Sequence, residues 1–174
     1  MDFLFSPNPD DSYTLARYIG SETIVAIPET YQEQAVTAIG DLAFCEHGLT
    51  SVTIPSSVKT IGNFAFNSCA SLSEVTMSEV LSIGDFAFKG TVLTSLVLPD
   101  SLTTIGDFAF EGCTGLLTVV IPSSVKKIGN FAFAGSGLTS VVIPETVIVG
   151  DGAFHCDGLP NSGFNLGKRE DKPL

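Results

Sequence analysis

Ile-Gly-Asp-Phe-Ala-Phe, residues 105–110, is one of six copies of a single phrase, Ile-Gly-Asp/Asn-x-Ala-Phe or a close variant. The glycine of each copy stands at position 40, 62, 84, 106, 129 and 150. A signal that returns every 21 to 23 residues with its aromatics in fixed places marks a solenoid. Each unit of such a coil is too small to bury anything alone and must stack on its neighbours.

A second phrase lies between the glycines. Leu-x-x-Val-x-Ile-Pro reads Leu49, Val52, Ile54, Pro55, then Leu72, Val75, Met77, then Leu93, Leu96, Leu98, Pro99. It continues as Leu116, Val119, Ile121, Pro122 and as Leu138, Val141, Ile143, Pro144, while an imperfect earlier copy ends in Ile24, Ile27 and Pro28. Alternation at period two predicts a short strand with one face in the core in every copy. The proline that follows cannot donate to a ladder and ends it. Val58–Ile61, Leu102–Ile105 and Val125–Ile128 then predict a second extended segment, which the glycine closes.

After each glycine comes Asp41, Asn63, Asp85, Asp107, Asn130 or Asp151, where a short polar side chain is expected to N-cap a single helical or 3₁₀ turn. Ten of the thirteen phenylalanines fall in these turns, and stacking them predicts an aromatic spine. Its ladder is Phe44, Phe66, Phe88, Phe110, Phe133 and Phe154; Phe108 is also expected in the core, so that Phe108→Ala would cost about 3–5 kcal/mol. One-residue differences in unit length fall in the joints, as from Phe66 to Leu72 against Phe88 to Leu93, and from Met77 to Ile83.

These phrases resemble the BspA-like class of leucine-rich repeats over roughly residues 15 to 159. The resemblance implies a right-handed coil with strands on its concave side. It also implies surface or secreted proteins of bacteria and protists that bind other proteins. Two departures stand out: an insertion at Glu29 to Ala38 and Gly152 in place of the first turn phenylalanine. The expected fold class is thus a leucine-rich-repeat solenoid of about six units of mainly short β-strands. Residues 1–20 form an N-terminal cap using Tyr13, Leu15, Tyr18 and Ile19, residues 21–159 the coil, and residues 160–174 a polar tail or partial cap.

Composition narrows the partners. The chain has 174 residues, eight Lys and Arg and a net charge of −11, so nucleic acid and anionic membrane are poor partners for want of a positive surface. No apolar run approaches the roughly 20 residues of a membrane span. Residues 1–18 lack the basic start and apolar stretch of a secretory signal, which leaves an intracellular protein or a mature or partial chain. The resemblance points instead to the surface.

Chemistry finds no foothold. Cys69 and Cys113 share one repeat position two units apart, about 10 Å at the strand spacing, and are expected as small buried thiols without a bridge. Cys45-Glu46-His47 and His155-Cys156 lie at opposite ends and offer too few ligands for a zinc ion. The Asp/Asn column is broken by Asn63 and Asn130, unlike a calcium ladder, and no cofactor is implied. Neither histidine has an acid and a nucleophile beside it in the repeat, so no enzyme is expected.

Function should therefore sit at outward strand positions. Between the inward residues these read Thr53, Thr76, Val97, Val120 and Val142, flanked by Ser51, Glu74, Ser95, Thr118 and Ser140. Cross-strand pairing of β-branched residues explains such a column without a ligand. A contact surface for a protein or glycan, of adhesion type, explains it as well. A structural or linker subunit docking through the C-terminal edge is the other reading, unless Phe164 and Leu166 fold back to cover that edge.

Overall fold

The structure is a computed structural model and describes residues 2–159. The strands run in chain order β1 (Phe3–Pro7), β2 (Tyr13–Tyr18), β3 (Ile24–Ala26), β4 (Thr30–Tyr31), β5 (Gln34–Ile39), β6 (Ser51–Thr53) and β7 (Thr60–Ile61). They continue as β8 (Glu74–Thr76), β9 (Ser82–Ile83), β10 (Thr104–Ile105), β11 (Thr118–Val120), β12 (Lys127–Ile128), β13 (Ser140–Val142) and β14 (Ile148–Val149). Among the described residues no helix is long and apolar enough to cross a membrane.

The Ile-Gly segments pair in parallel in the order β5-β7-β9-β10-β12-β14. Each pairs with its own counterpart one unit away: Ile39 with Ile61, Ile61 with Ile83, Ile105 with Ile128. The Leu-x-x-Val-x-Ile segments form a second column, β3-β6-β8 and β11-β13. This column departs from the expectation of a strand in every copy, because Ser95–Leu98 carries no strand. Leu72 to Leu93 spans 21 residues and Leu93 to Leu116 spans 23, so the break falls where the shortest spacing meets a long one. Leu96 and Leu98 stay buried, which holds the segment in the coil without its ladder.

The N-terminal end is closed by an antiparallel pair. β1 runs against β2, and β2 joins β5 in parallel. Leu15 and Tyr18 are buried, and the Tyr18 ring stacks 5.2 Å from Phe44. Ile19 is exposed and takes no part in that packing. The insertion after Pro28 forms a hairpin of β4 on β5, with Gln32 and Glu33 at φ 50° and 66° in its two-residue turn. Its Tyr31 stacks 4.4 Å from Phe5.

The Phe turns are not helical. Within the first of them Ala43 N–H bonds Gly40 O, Cys45 N–H bonds Leu42 O and His47 N–H bonds Phe44 O, the spacing of a 3₁₀ turn. Yet Leu42 and Glu46 are left-handed, with φ of 60° and 61°. Alternating hand turns the N–H groups of Leu42, Phe44 and Glu46 toward the next coil. There they meet the carbonyls of Asn63, Ala65 and Asn67 at 3.0, 2.7 and 2.9 Å. A helix would have spent those donors within the turn.

The Asp/Asn column corrects the N-cap expectation in the same way. The first five side chains bond the following unit, not their own turn: Asp41 Oδ1 accepts from Asn63 N–H at 2.7 Å, and Asn63 Oδ1 from Asp85 N–H at 2.8 Å. Asp85 serves Asp107, Asp107 serves Asn130 and Asn130 serves Asp151 at 2.7–2.8 Å. Asp and Asn are interchangeable here because both supply the one oxygen that is needed.

Phenylalanine splits into two ladders. Phe44, Phe66, Phe88, Phe110 and Phe133 are wholly buried, with successive centroids 4.8, 5.0, 5.3 and 5.0 Å apart. Phe154 extends the stack 5.2 Å beyond Phe133 and is only partly buried. The first phenylalanine of each turn forms the other ladder, Phe64, Phe86, Phe108 and Phe131, at 4.7, 4.8 and 5.2 Å. These rings reach solvent: Phe64 is 37% and Phe131 40% exposed, and Phe86 and Phe108 between them are partly buried. Phe108 therefore does not sit in the core, and the cavity argument made for it belongs to Phe110.

Candidate partner-binding face

On β6 and β8 the inward residues are Val52 and Val75, and the outward Thr53 and Thr76 are exposed. Period two fixes this: residues on either side of an inward valine must face out. On β11 and β13 the same geometry turns Val120 and Val142 outward in direct register, with Thr118 exposed beside Ser140. Val97 is 78% exposed, Val120 63% and Val142 59%. The three valines thus occupy neighbouring coils, Val97 from the unladdered Ser95–Leu98 segment and the other two from a paired sheet.

Ile24 was missed. The imperfect first copy reads as if Ile24 pointed inward, but the strand is displaced by one residue. Val25 pairs with Val52 in the core, and Ile24 pairs with Ser51 and is 74% exposed. The spacing back from Ile27 held the signal, since Val25 is two residues before it and Ile24 three.

The face is apolar and hydroxylic. Glu74 is the charged side chain in its flanking column, and its Oε2 accepts from Ser51 Oγ at 3.4 Å. Away from this face, His47 packs its ring on Tyr18 at 5.3 Å, with Nδ1 3.1 Å from Cys45 O.

The buried thiols have a role beyond filling space. Cys69 Sγ donates to Phe44 O at 2.9 Å, and Cys113 Sγ donates to Phe88 O at 3.3 Å while lying 3.2 Å from Thr91 Oγ1. Thr91 and Ser136 hold the equivalent position in their units and donate to Phe88 O and Phe133 O at 2.9 and 2.7 Å. Burial pushes the Cys69 thiol up to about 12 and the Cys113 thiol to about 11, so both stay protonated donors. All four cysteines are free thiols, with Thr91 at the position between Cys69 and Cys113.

The profile of the BspA type leucine rich repeat region matches residues 37–159 in six copies. The chain belongs to this family. A leucine-rich repeat protein of T. pallidum shares 28% identity with a TM-score of 0.83, over 92% of this chain and 89% of that one. A leucine-rich repeat protein of Bacteroides ovatus shares 31% at a TM-score of 0.79 over 91% of this chain. A leucine rich cell surface protein of Faecalibacterium prausnitzii shares 32% at 0.68, also over 91%. The chain spans 45% of the B. ovatus protein and 52% of the F. prausnitzii protein. No curated protein matches it. BspA-type repeats are scaffolds that generally bind proteins.

Proposed function

We propose that this chain is a non-catalytic recognition module of adhesion type, holding another protein against the outward strand face around Val97, Val120 and Val142. Thr53, Thr76 and Thr118 form the hydroxyl surround. The observation that carries this is the exposure of three valines in consecutive coils, at positions where threonine would satisfy the strand equally well. Cross-strand pairing accounts for Val120 with Val142. It does not account for Val97, the most exposed of the three, whose segment has no ladder.

A surface location fits this reading, since the F. prausnitzii relative is a cell surface protein. The test is capture from the native extract with wild type and Val120→Lys side by side. The substitution is expected to abolish retention of the partner while moving stability by no more than about 0.5 kcal/mol, as for other surface changes. Retention of the same partner by Val120→Lys at full strength would contradict the proposal. Glycosidase treatment of the extract separates a glycan from a protein surface.

A second reading, docking of the C-terminal edge in an assembly, is favoured by one contrast. Val119 and Ile121 are buried, whereas their counterparts Val141 and Ile143 in the last coil are only partly so. Phe164 and Leu166, the residues expected to cover that edge, lie outside the described residues.

A further inference from the structure

The outer aromatic ladder is a separate surface with its own chemistry. Phe64, Phe86, Phe108 and Phe131 stack with interplanar angles of 3°, 8° and 14°, making a straight apolar stripe across four coils. Their place costs something: φ is 54–57° at all four, a left-handed backbone that disfavours a bulky side chain. Leu42 holds the same place in the first turn at φ 60° and Gly152 in the last at φ 62°, so the fold does not require an aromatic there.

Carboxylates border the stripe. Each ring directly follows a member of the Asp/Asn column, and Asp85 and Asp107 precede Phe86 and Phe108. Asp85 uses Oδ1 on the Asp107 N–H and none of the described residues takes its Oδ2, while Asp107 uses Oδ1 on the Asn130 N–H and its Oδ2 accepts only a long 3.4 Å bond from Asn130 Nδ2. The stacked rings cover one another's faces and present their edges, along which an apolar stem packs, while the bordering carboxylates suit a cationic head. The molecule already contains one such arrangement. Lys89 lays its ammonium 5.4 Å from the Phe86 centroid and 2.8 Å from Glu111 Oε2. The positions equivalent to Lys89 beside Phe64, Phe108 and Phe131 are Asn67, Glu111 and Ala134, which offer no cation.

We infer that this ladder docks a Lys- or Arg-bearing segment of a partner protein, its stems lying along the rings and its heads on the Asp85 and Asp107 carboxylates. The net charge of −11 draws such a segment in. The ring spacing, close to 5 Å, lets roughly four extended residues cover the stripe at about 3.3 Å each. This surface is distinct from the valine face, and its test is independent of the one given there.

The probe is a fluorescein-labelled nona-arginine peptide, read by fluorescence anisotropy at 0.15 M salt as a physiological ionic strength of roughly that value. Two variants are drawn from residues the coil itself uses at these positions. Phe86→Leu with Phe108→Leu and Phe131→Leu copies Leu42, and Asp85→Asn with Asp107→Asn copies Asn63 and Asn130. Each set is expected to keep the wild-type circular dichroism and weaken binding tenfold or more, whereas Asp100→Asn with Glu145→Gln, which removes two exposed carboxylates outside the Asp/Asn column, leaves binding within twofold of wild type. Phenylalanine-labelled wild type should show ring shifts on the outer ladder and not on the buried one, which keeps the test valid if a variant fails to fold. Absence of binding would overturn the inference, and equal binding by the leucine variant would overturn it in favour of plain charge attraction.

Discussion

Phe110→Ala is expected to lower the free energy of unfolding by about 3–5 kcal/mol, the range for emptying a buried aromatic site. Phe110 is wholly buried between Phe88 at 5.3 Å and Phe133 at 5.0 Å. Both neighbours belong to other coils, so the loss falls on the contacts that hold units together. Backbone bonds pin the site on both sides, from Phe88 N–H to Ala109 O at 2.8 Å and from Phe110 N–H to Ala132 O at 2.6 Å. The coil cannot collapse into the gap without breaking them. Phe108→Ala, two residues away, is the control: its ring is only partly buried, and its loss should cost less than half as much. Urea denaturation of both variants measures the difference, and equal midpoints would contradict the division into buried and outer ladders.

Gly106→Ala is expected to cost about 3 kcal/mol, at the upper end of overpacking penalties, because there is no direction in which the coil can yield. A Cβ at Gly106 would stand 2.5 Å from Asp85 Oδ1 and 2.6 Å from the Asp85 backbone nitrogen. Asp85 is in that place because its side chain curls over to accept the Asp107 N–H. Gly106 in turn donates to Ile83 O at 2.9 Å, so the two coils are drawn together across the glycine. Gly62, Gly84, Gly129 and Gly150 meet the preceding Asp or Asn in the same way. Gly48 is the control, with nothing within 4 Å of its would-be Cβ. There alanine should be neutral or stabilise by up to about 1 kcal/mol through the unfolded chain. Thermal denaturation showing similar losses at both glycines would contradict the close-approach argument.

What could be read from the sequence was whatever repeats. The period, the inward valines and the Ile-Gly strands were legible because stacking makes every unit obey the same pattern. The division of the phenylalanines was legible too, though it was not read. The second turn position is Phe in all six units, whereas the first reads Leu42, Phe64, Phe86, Phe108, Phe131 and Gly152. A place that accepts glycine is not a filled core.

Other features left no such trace. Left-handed backbone at phenylalanine contradicts its intrinsic preference and is imposed by hydrogen bonds between coils, which a local reading cannot see. The role of the Asp/Asn column depends on the same neighbours. At Ser95–Leu98 the apolar pattern survives intact while the ladder is lost, so periodicity alone could not report the break. The outward valines were found because strand period two was secure on either side of them.

The central claim is that rings a full unit apart in sequence touch in one continuous buried column. Nuclear Overhauser contacts among site-specifically labelled phenylalanine rings test it most directly. The account predicts contacts from Phe88 to Phe110 and from Phe110 to Phe133, with none from Phe88 to Phe133. Contacts confined to rings of the same unit, such as Phe108 with Phe110, would contradict it.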